Sequence, residues 1–185
     1  MVLTPSNMVP LGMKAPDFNL PDVVSGENKT LANFKSDIAT VVMFICNHCP
    51  YVKHIQPGLV SLADDYIARG VSFVALNSND VENYPDDSPD KMLEDAKRLN
   101  YPFSYLFDEN QEIARAYDAA CTPDFFVFDR DFSCVYRGQM DNSRPENGKP
   151  VTGADLRAAL DAVIAGEALS ESQIPSMGCN IKWKK

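Results

Sequence analysis

Two cysteines three positions apart follow directly on a run of β-favouring residues, and this arrangement restricts the fold more than any other feature. Val41–Ile45 is continuously apolar, which is typical of a strand that is buried on both faces of a parallel sheet. Cys46 and Cys49 come next, and an apolar stripe then recurs at steps of three and four residues: Val52, Ile55, Leu59, Leu62 and Tyr66. The stripe predicts a helix, so both cysteines are expected where a central strand passes into a helix.

A second buried strand is predicted at Val71–Leu76, and it completes a strand–helix–strand crossover unit. The remaining predicted elements are a hairpin within 17–33, helices at 88–99, 111–117 and 152–166, and strands at 103–107, 125–128 and 134–137. We therefore expect one α/β domain over residues 1–185, with a mixed central sheet flanked by helices and preceded by an N-terminal β-hairpin. Its core would span about 12–166, with a C-terminal tail at 167–185.

Composition argues against several classes of partner. A formal net charge of −9 disfavours binding to a nucleic-acid backbone. The sequence contains no apolar run as long as a membrane span, and residues 1–16 lack the apolar block of a signal peptide. Five cysteines is an odd count, which an extracellular disulfide framework would rarely have. We expect a cytoplasmic protein without a membrane or nucleic-acid partner. Paired cysteines in the cytoplasm are more often redox-active or metal-binding groups than structural disulfides.

The Cys46-Asn47-His48-Cys49 segment predicts thiol chemistry. Three-residue spacing at a helix start brings two sulfurs within reach of a disulfide bond. Unpaired amides of the first helical turn, together with a charged His48, favour the thiolate of Cys46. We therefore expect a pKa for Cys46 below the free-cysteine value of about 8.5. Cys46 would be the nucleophile, and Cys49 would resolve the mixed disulfide to form a reversible Cys46–Cys49 bond.

Three further segments resemble the thioredoxin superfamily, in particular its peroxiredoxin-like, alkyl-hydroperoxide-reductase-type (AhpC/TSA-like) branch. The segments are Ala15–Leu20, Lys29–Phe34 and Cys121–Pro123. The resemblance implies a thioredoxin-like fold with a cis Thr122–Pro123 peptide bond, and a peptide groove in which Pro123 lines the wall and the Thr122 backbone pairs with a substrate strand. It implies a thiol–disulfide oxidoreductase with antioxidant activity. Its partners would be protein or small-molecule disulfides, or peroxides, and a thiol electron donor; no cofactor is expected.

A peroxidase is the second hypothesis. Cys49 and the proline after it resemble the peroxidatic cysteine of peroxiredoxins, with Cys46 or Cys179 as the resolving cysteine. Peroxiredoxins have a threonine or serine three residues before that cysteine and a proline four residues earlier still. Here these positions are Cys46 and Val42. A thiol is a weak hydrogen-bond donor, so we expect peroxide turnover to be slower than disulfide exchange.

A metal-binding or redox-inert adaptor is the third hypothesis. Cys46 and Cys49, with His48 or His54, offer thiolate and imidazole ligands that suit copper or zinc. The sequence has no second Cys/His cluster to complete four ligands. We therefore expect no resident metal.

The other three cysteines lie outside this segment. Cys121 precedes the Thr-Pro pair and is either an additional redox thiol close to Cys46 or an inert buried cysteine. Cys134 falls within a predicted strand and is expected in the core. Cys179 lies in the tail, where it is either a resolving cysteine or an idle thiol, and the nearby Trp183 would anchor that segment to the body.

Overall fold

The part of the chain that the structure describes contains ten strands and four α-helices. The computed structural model describes residues 3–185. The strands are β1 (Leu3–Pro5), β2 (Asn19–Pro21), β3 (Asn28–Thr30), β4 (Ala39–Phe44), β5 (Ser72–Asn77), β6 (Ser104–Phe107), β7 (Cys121–Thr122), β8 (Asp124–Asp129), β9 (Cys134–Gly138) and β10 (Met177–Asn180). The helices are α1 (Pro50–Ile67), α2 (Pro89–Arg98), α3 (Glu112–Ala116) and α4 (Ala154–Ala165), and short 3₁₀ helices span Leu31–Phe34 and Pro85–Asp87.

A five-stranded sheet in the order β6-β5-β4-β8-β9 forms the centre of the molecule. β5 runs parallel to β4 and β6, whereas β8 is antiparallel to β4 and β9. β2 and β3 form a separate antiparallel hairpin before this sheet. The predicted hairpin and the predicted mixed sheet are therefore both confirmed.

Alternation along β4 sends its side chains into two hydrophobic clusters. Val41 and Met43 face the cluster that contains Cys46, Cys49 and the apolar stripe of α1. Val42 and Phe44 face the second cluster, which includes residues of the hairpin and of α3. Because β4 is buried on both faces, it fixes the position of the cysteine segment that follows it.

The helix boundaries follow local signals in the sequence. α1 begins at Pro50, with Cys49 as the N-cap, and includes Pro57. A proline is readily accommodated in the first turn because its missing N–H has no helical partner there. Ser88, the first residue of the helix predicted at 88–99, is the N-cap of α2. α4 instead has Gly153 as its N-cap, and Thr152, the first residue of the helix predicted at 152–166, accepts a hydrogen bond from the Ala154 amide at 3.3 Å.

The C-terminal tail contains a strand that its sequence did not indicate. β10 lies between β1 and β7 and is antiparallel to both. Cys179 is paired in register with Thr122 of β7. A Cβ on Gly178 would lie 2.0 Å from the Thr122 carbonyl oxygen, so only glycine allows this close approach. Within residues 3–185, no helix is both long and apolar enough to span a membrane.

Candidate redox site

Three cysteines from three different parts of the chain meet at Thr122. Cys46 follows β4, Cys49 caps α1, and Cys179 lies in β10. Cys49 and Cys179 form a disulfide across a sequence separation of 130, with their Cα atoms 6.3 Å apart. The Cys46 Sγ lies 3.1 Å from the Thr122 Oγ1, and the Cys49 Sγ lies 3.4 Å from the Thr122 carbonyl oxygen. The Thr122–Pro123 bond is cis, as predicted.

The disulfide present differs from the predicted Cys46–Cys49 pair, because Cys49 is bonded to Cys179 and Cys46 is a free thiol. The physical reason is the pairing of β10 with β7, which places Cys179 beside the same threonine that Cys49 contacts. Cys179 is therefore not an idle tail thiol. Trp183 anchors the tail as predicted, with the Arg115 guanidinium 4.4 Å from its ring centroid.

Asp87 organises the turn between Cys46 and Cys49, and the sequence did not single it out. Its Oδ1 accepts hydrogen bonds from the amides of Asn47 (2.7 Å) and His48 (3.2 Å). Its Oδ2 accepts from the Asn79 side chain at 2.8 Å and lies 2.5 Å from the His48 Nδ1. Burial raises the pKa of Asp87, but the hydrogen bonds from His48, Asn79 and Asn47 outweigh it and lower the pKa overall. An ionised carboxylate only accepts hydrogen bonds, so the His48 Nδ1 carries the proton.

Burial and, after it, Asp87 explain why the thiol of Cys46 is not activated. Burial and the negative charge of Asp87 raise the pKa of Cys46 to about 12, against smaller lowering effects that include the Thr122 hydrogen bond and Lys182. The expected low pKa is therefore contradicted. The amides of Asn47 and His48, which were expected to face the sulfur, donate to Asp87 instead.

The raised pKa predicts slow alkylation of Cys46. With a pKa of about 12 against a free-cysteine value of about 8.5, the thiolate fraction at neutral pH is lower by roughly three orders of magnitude. We expect iodoacetamide to modify Cys46 of the oxidised protein at least 100-fold more slowly than free cysteine at pH 8. The rate should rise steadily to pH 9 without levelling. Site-resolved mass spectrometry measures the alkylation rate of Cys46 at each pH. A rate that levels off below pH 9 would contradict the raised pKa of this thiol.

Asn47 and His48 have structural partners beyond the cysteines. The Asn47 side chain donates to the Asp86 carbonyl at 3.0 Å and accepts from the Tyr105 hydroxyl at 3.0 Å. The His48 ring stacks on Tyr84 with a centroid separation of 5.2 Å. Its Nε2 is buried, with no hydrogen-bond partner among residues 3–185. Both residues thus hold the turn in place rather than stabilising a thiolate directly.

A metal site is not completed by the predicted ligands. In the described part of the chain, the group of residues that could hold an ion is Cys46, His48 and Asp87, whose ligand atoms lie within 4.8 Å of one another. Cys49 is engaged in the disulfide, and the His54 Nε2 lies 2.7 Å from the Ser143 Oγ. Structural zinc sites have four ligands, and Asp87 already accepts several hydrogen bonds. The donor set therefore gives the metal hypothesis little support.

The two remaining cysteines lie in strands. Cys121 and Thr122 are neighbours in β7, so their side chains point to opposite faces. The Cys121 Sγ lies 3.8 Å from the Pro123 carbonyl oxygen, and burial raises the pKa of this thiol. Cys134 is in the core, as predicted. The structure therefore favours the inert alternative for Cys121.

A buried ion pair lies directly behind the cis-proline. The Arg137 Nη2 is 2.7 Å from the Asp124 Oδ2, and both side chains are wholly buried. The Arg137 guanidinium also lies 3.8 Å from the Phe126 ring centroid. Burial raises the pKa of Asp124 to about 6, although Arg137 lowers it. Because Asp124 follows Pro123, this pair anchors the loop that supports the cysteines.

Comparison with known proteins decides the family. The model of the AhpC/TSA family matches residues 11–137, which is more than half of the chain. The chain belongs to the AhpC/TSA family. This membership confirms the resemblance inferred from the sequence and supports a redox enzyme class in general. Among curated proteins, none matches this AhpC/TSA-family chain significantly.

Solved structures from other organisms are similar in fold to this AhpC/TSA-family protein. An uncharacterized conserved protein from Geobacillus kaustophilus is 62% identical, covers 100% of this chain and 97% of its own, and gives a TM-score of 0.98. A hypothetical protein from Sinorhizobium meliloti 1021 is 50% identical over 98% of both chains, with a TM-score of 0.95. A thiol:disulfide interchange protein of the thioredoxin family from Chlorobium tepidum TLS is 18% identical, covers 85% of this chain and 99% of its own, and gives a TM-score of 0.63. The fold is therefore thioredoxin-like, as predicted.

Proposed function

We propose that the protein is a thiol–disulfide oxidoreductase in which Cys49 and Cys179 are the exchanging pair. The observation that carries this proposal is the disulfide between these residues beside the cis-proline loop. Cys49 is the N-cap of an 18-residue helix, where the helix dipole favours a thiolate once the disulfide is reduced. A purely structural disulfide would not need this position or a third cysteine at the same threonine.

The proposed cycle requires only thiols and disulfides. The Cys49 thiolate attacks one sulfur of a substrate disulfide, forms a mixed disulfide and releases the other substrate sulfur as a thiolate. Cys179 then attacks the Cys49 sulfur, which forms the Cys49–Cys179 bond and releases the reduced substrate. An external thiol electron donor restores both thiols and is itself oxidised. Because β10 holds Cys179 opposite Thr122, the C-terminal tail does not have to rearrange before Cys179 attacks Cys49.

A thiol peroxidase is the second candidate, and the pairing of Cys49 with a distant cysteine favours it as well. The Cys49 thiolate would displace the leaving oxygen of a peroxide, and Cys179 would condense with the resulting sulfenic acid and release water. This reaction needs donors aimed at the leaving oxygen. The Thr122 hydroxyl instead contacts the sulfur of Cys46, so we rank peroxide reduction below disulfide exchange.

Three variants test the assignment. We expect Cys49→Ser to lower the turnover of a small disulfide, with dithiothreitol as donor, at least 100-fold. We expect Cys179→Ser to accumulate the mixed disulfide on Cys49, which mass spectrometry would detect. Cys134→Ser is the matched control, because Cys134 is an equally buried free thiol outside the site, and its turnover should stay at the wild-type value.

The same preparations compare the two candidate reactions. Hydrogen peroxide and the small disulfide are each supplied at neutral pH with the same donor. If both Cys49→Ser and Cys179→Ser retain wild-type turnover, the proposed pair is refuted. Faster consumption of peroxide than of disulfide, with a sulfenic acid trapped on Cys49 in Cys179→Ser, would replace the oxidoreductase with the peroxidase.

A further inference from the structure

We propose that Cys46 is an internal thiol that opens the Cys49–Cys179 disulfide, so that the oxidised protein exchanges between two disulfides that share Cys49. This inference rests on the proposed function and adds to it a third participating cysteine. It also assigns a role to the one thiol of the site that the proposed cycle leaves unused.

The geometry brings the three sulfurs to one residue. Cys46 contacts the hydroxyl of Thr122 at 3.1 Å, and Cys49 contacts the carbonyl of the same residue at 3.4 Å. Cys46 and Cys49 are three residues apart at a helix start, which is within reach of a disulfide bond. Cys49 is bonded to Cys179, and the three-residue spacing also allows it to bond to Cys46.

Burial of the Cys49–Cys179 disulfide favours attack by a thiol within the protein over attack by a thiol in solution. Cys49 is 0% exposed and Cys179 is 1% exposed, so a thiol in solution has no route to either sulfur in this conformation. Cys46 lies in the same hydrophobic cluster as both of them. It is the free thiol at the Thr122 end of this cluster, whereas Cys121 and Cys134 lie outside the cluster.

The exchange is balanced without an oxidant or a reductant. The Cys46 sulfur loses its proton and attacks the Cys49 sulfur. The Cys46–Cys49 bond forms, the Cys49–Cys179 bond breaks, and Cys179 leaves as a thiolate that takes up one proton. One disulfide and one thiol are present before and after the step, and the covalent bond between β10 and α1 is lost.

Burial and Asp87 together slow the attack of Cys46 on the resting disulfide. The burial of Cys46 and the negative charge of Asp87 keep that thiol protonated, and a thiol must ionise before it attacks. The exchange is therefore slow while β10 is docked, in agreement with the Cys49–Cys179 bond that the structure contains. Once Cys179 has left, β10 is held by non-covalent contacts alone and becomes the part of the site that can open.

Alkylation of the oxidised, native protein without any reductant tests the proposal. Iodoacetamide is added in excess, the protein is digested in acid, and the modified cysteines and remaining disulfides are mapped by mass spectrometry. In the wild type we expect modified Cys179 together with a Cys46–Cys49 disulfide. In Cys46→Ser, which keeps a hydrogen-bonding group at Thr122, we expect Cys179 modification to fall at least tenfold. Cys46→Ala repeats the test if the serine variant does not fold.

The identity of the modified cysteines and the rate at which Cys134 is modified decide the outcome. Modification of Cys46 with an intact Cys49–Cys179 disulfide at a faster rate than modification of Cys179, or equal modification of Cys179 in Cys46→Ser and the wild type, would overturn the proposal. Modification of Cys134 at the same rate as Cys179 would overturn it too, because general unfolding would then expose both. A separate experiment tests the proposed function. That function predicts that Cys46→Ser, once reduced and then treated with a small disulfide, still forms the Cys49–Cys179 disulfide.

Discussion

Replacing Gly178 with alanine is expected to lower the equilibrium constant for forming the Cys49–Cys179 disulfide by about five- to 150-fold. The added Cβ would lie 2.0 Å from the Thr122 carbonyl oxygen and 2.6 Å from its carbonyl carbon. Both atoms belong to the backbone of β7, so a rotamer change cannot relieve the clash. Overpacking of this kind costs about 1–3 kcal/mol, and about 1.4 kcal/mol is tenfold in an equilibrium constant. β10 would move away from β7 and take Cys179 with it.

The measurement is the fraction of Cys49–Cys179 disulfide at equilibrium in a glutathione redox buffer, read after acid quenching. Gly26→Ala is the control, because Gly26 lies in a turn outside the site (φ +76°) and its added Cβ meets nothing within 4 Å. We expect Gly26→Ala to lower the free energy of unfolding by about 1–2 kcal/mol, because alanine is strained in the left-handed region of backbone conformation. Its disulfide fraction should be unchanged. Equal disulfide fractions in Gly178→Ala and the wild type would show that β10 does not set the pairing.

Replacing Arg137 with methionine is expected to lower the free energy of unfolding by about 3–5 kcal/mol at pH 8. Arg137 and Asp124 are both 0% exposed, so the substitution leaves a buried carboxylate without its partner. The guanidinium also donates to the carbonyls of Tyr117 and Asp118 at 3.4 and 3.3 Å. These acceptors lose their donor as well, which adds to the loss.

The loss in Arg137→Met should depend on pH with a definite sign. Burial raises the pKa of Asp124 in the folded protein to about 6, from its ordinary value of 3.8. A group whose pKa is raised by folding adds stability that is full below its unfolded pKa and is lost as the pH rises through its folded pKa. Without Arg137 the folded pKa rises further, so the variant should lose less stability at pH 5 than at pH 8.

Urea denaturation at pH 5 and pH 8 measures this difference. Arg69→Met is the matched control, because Arg69 pairs with Asp161 at the surface, where the two side chains are 44% and 55% exposed. Solvent screens such a pair, so its loss should be small and nearly equal at both pH values. An equal loss for Arg137→Met at pH 5 and pH 8 would contradict the assigned role of Asp124.

The sheet, the hairpin and the cis-proline could be predicted from the sequence because their signals are local. Five consecutive apolar residues predict the strand at Val41–Ile45, and the helical period of the apolar stripe predicts α1. Thr122 and Pro123 stand together, so the resemblance could assign the cis bond that the structure contains. The position of Cys49 at the start of α1 followed from the same local signals.

The chemical partners of the site could not be predicted, because they come from distant parts of the chain. Asp87 lies 40 residues after Asn47, within an acidic loop in which no single carboxylate stands out. β10 has four residues with one glycine, which is too short to show an apolar period. The expected activation of Cys46 was wrong for the same reason. The helix geometry was right, but Asp87 takes the amides on which the expectation depended.

Because β10 carries Cys179 130 residues after Cys49, Cys49 meets its two possible partners in a fixed order during synthesis. Synthesis proceeds at about 5–20 residues per second, so the 130 residues that separate Cys49 from Cys179 take roughly ten seconds to add. During that interval the nascent chain carries Cys46 beside Cys49, and β7 has no strand from the tail. Under the proposed exchange, an oxidant that reaches the chain in this interval would form the Cys46–Cys49 bond first, and docking of β10 would replace it with the Cys49–Cys179 bond.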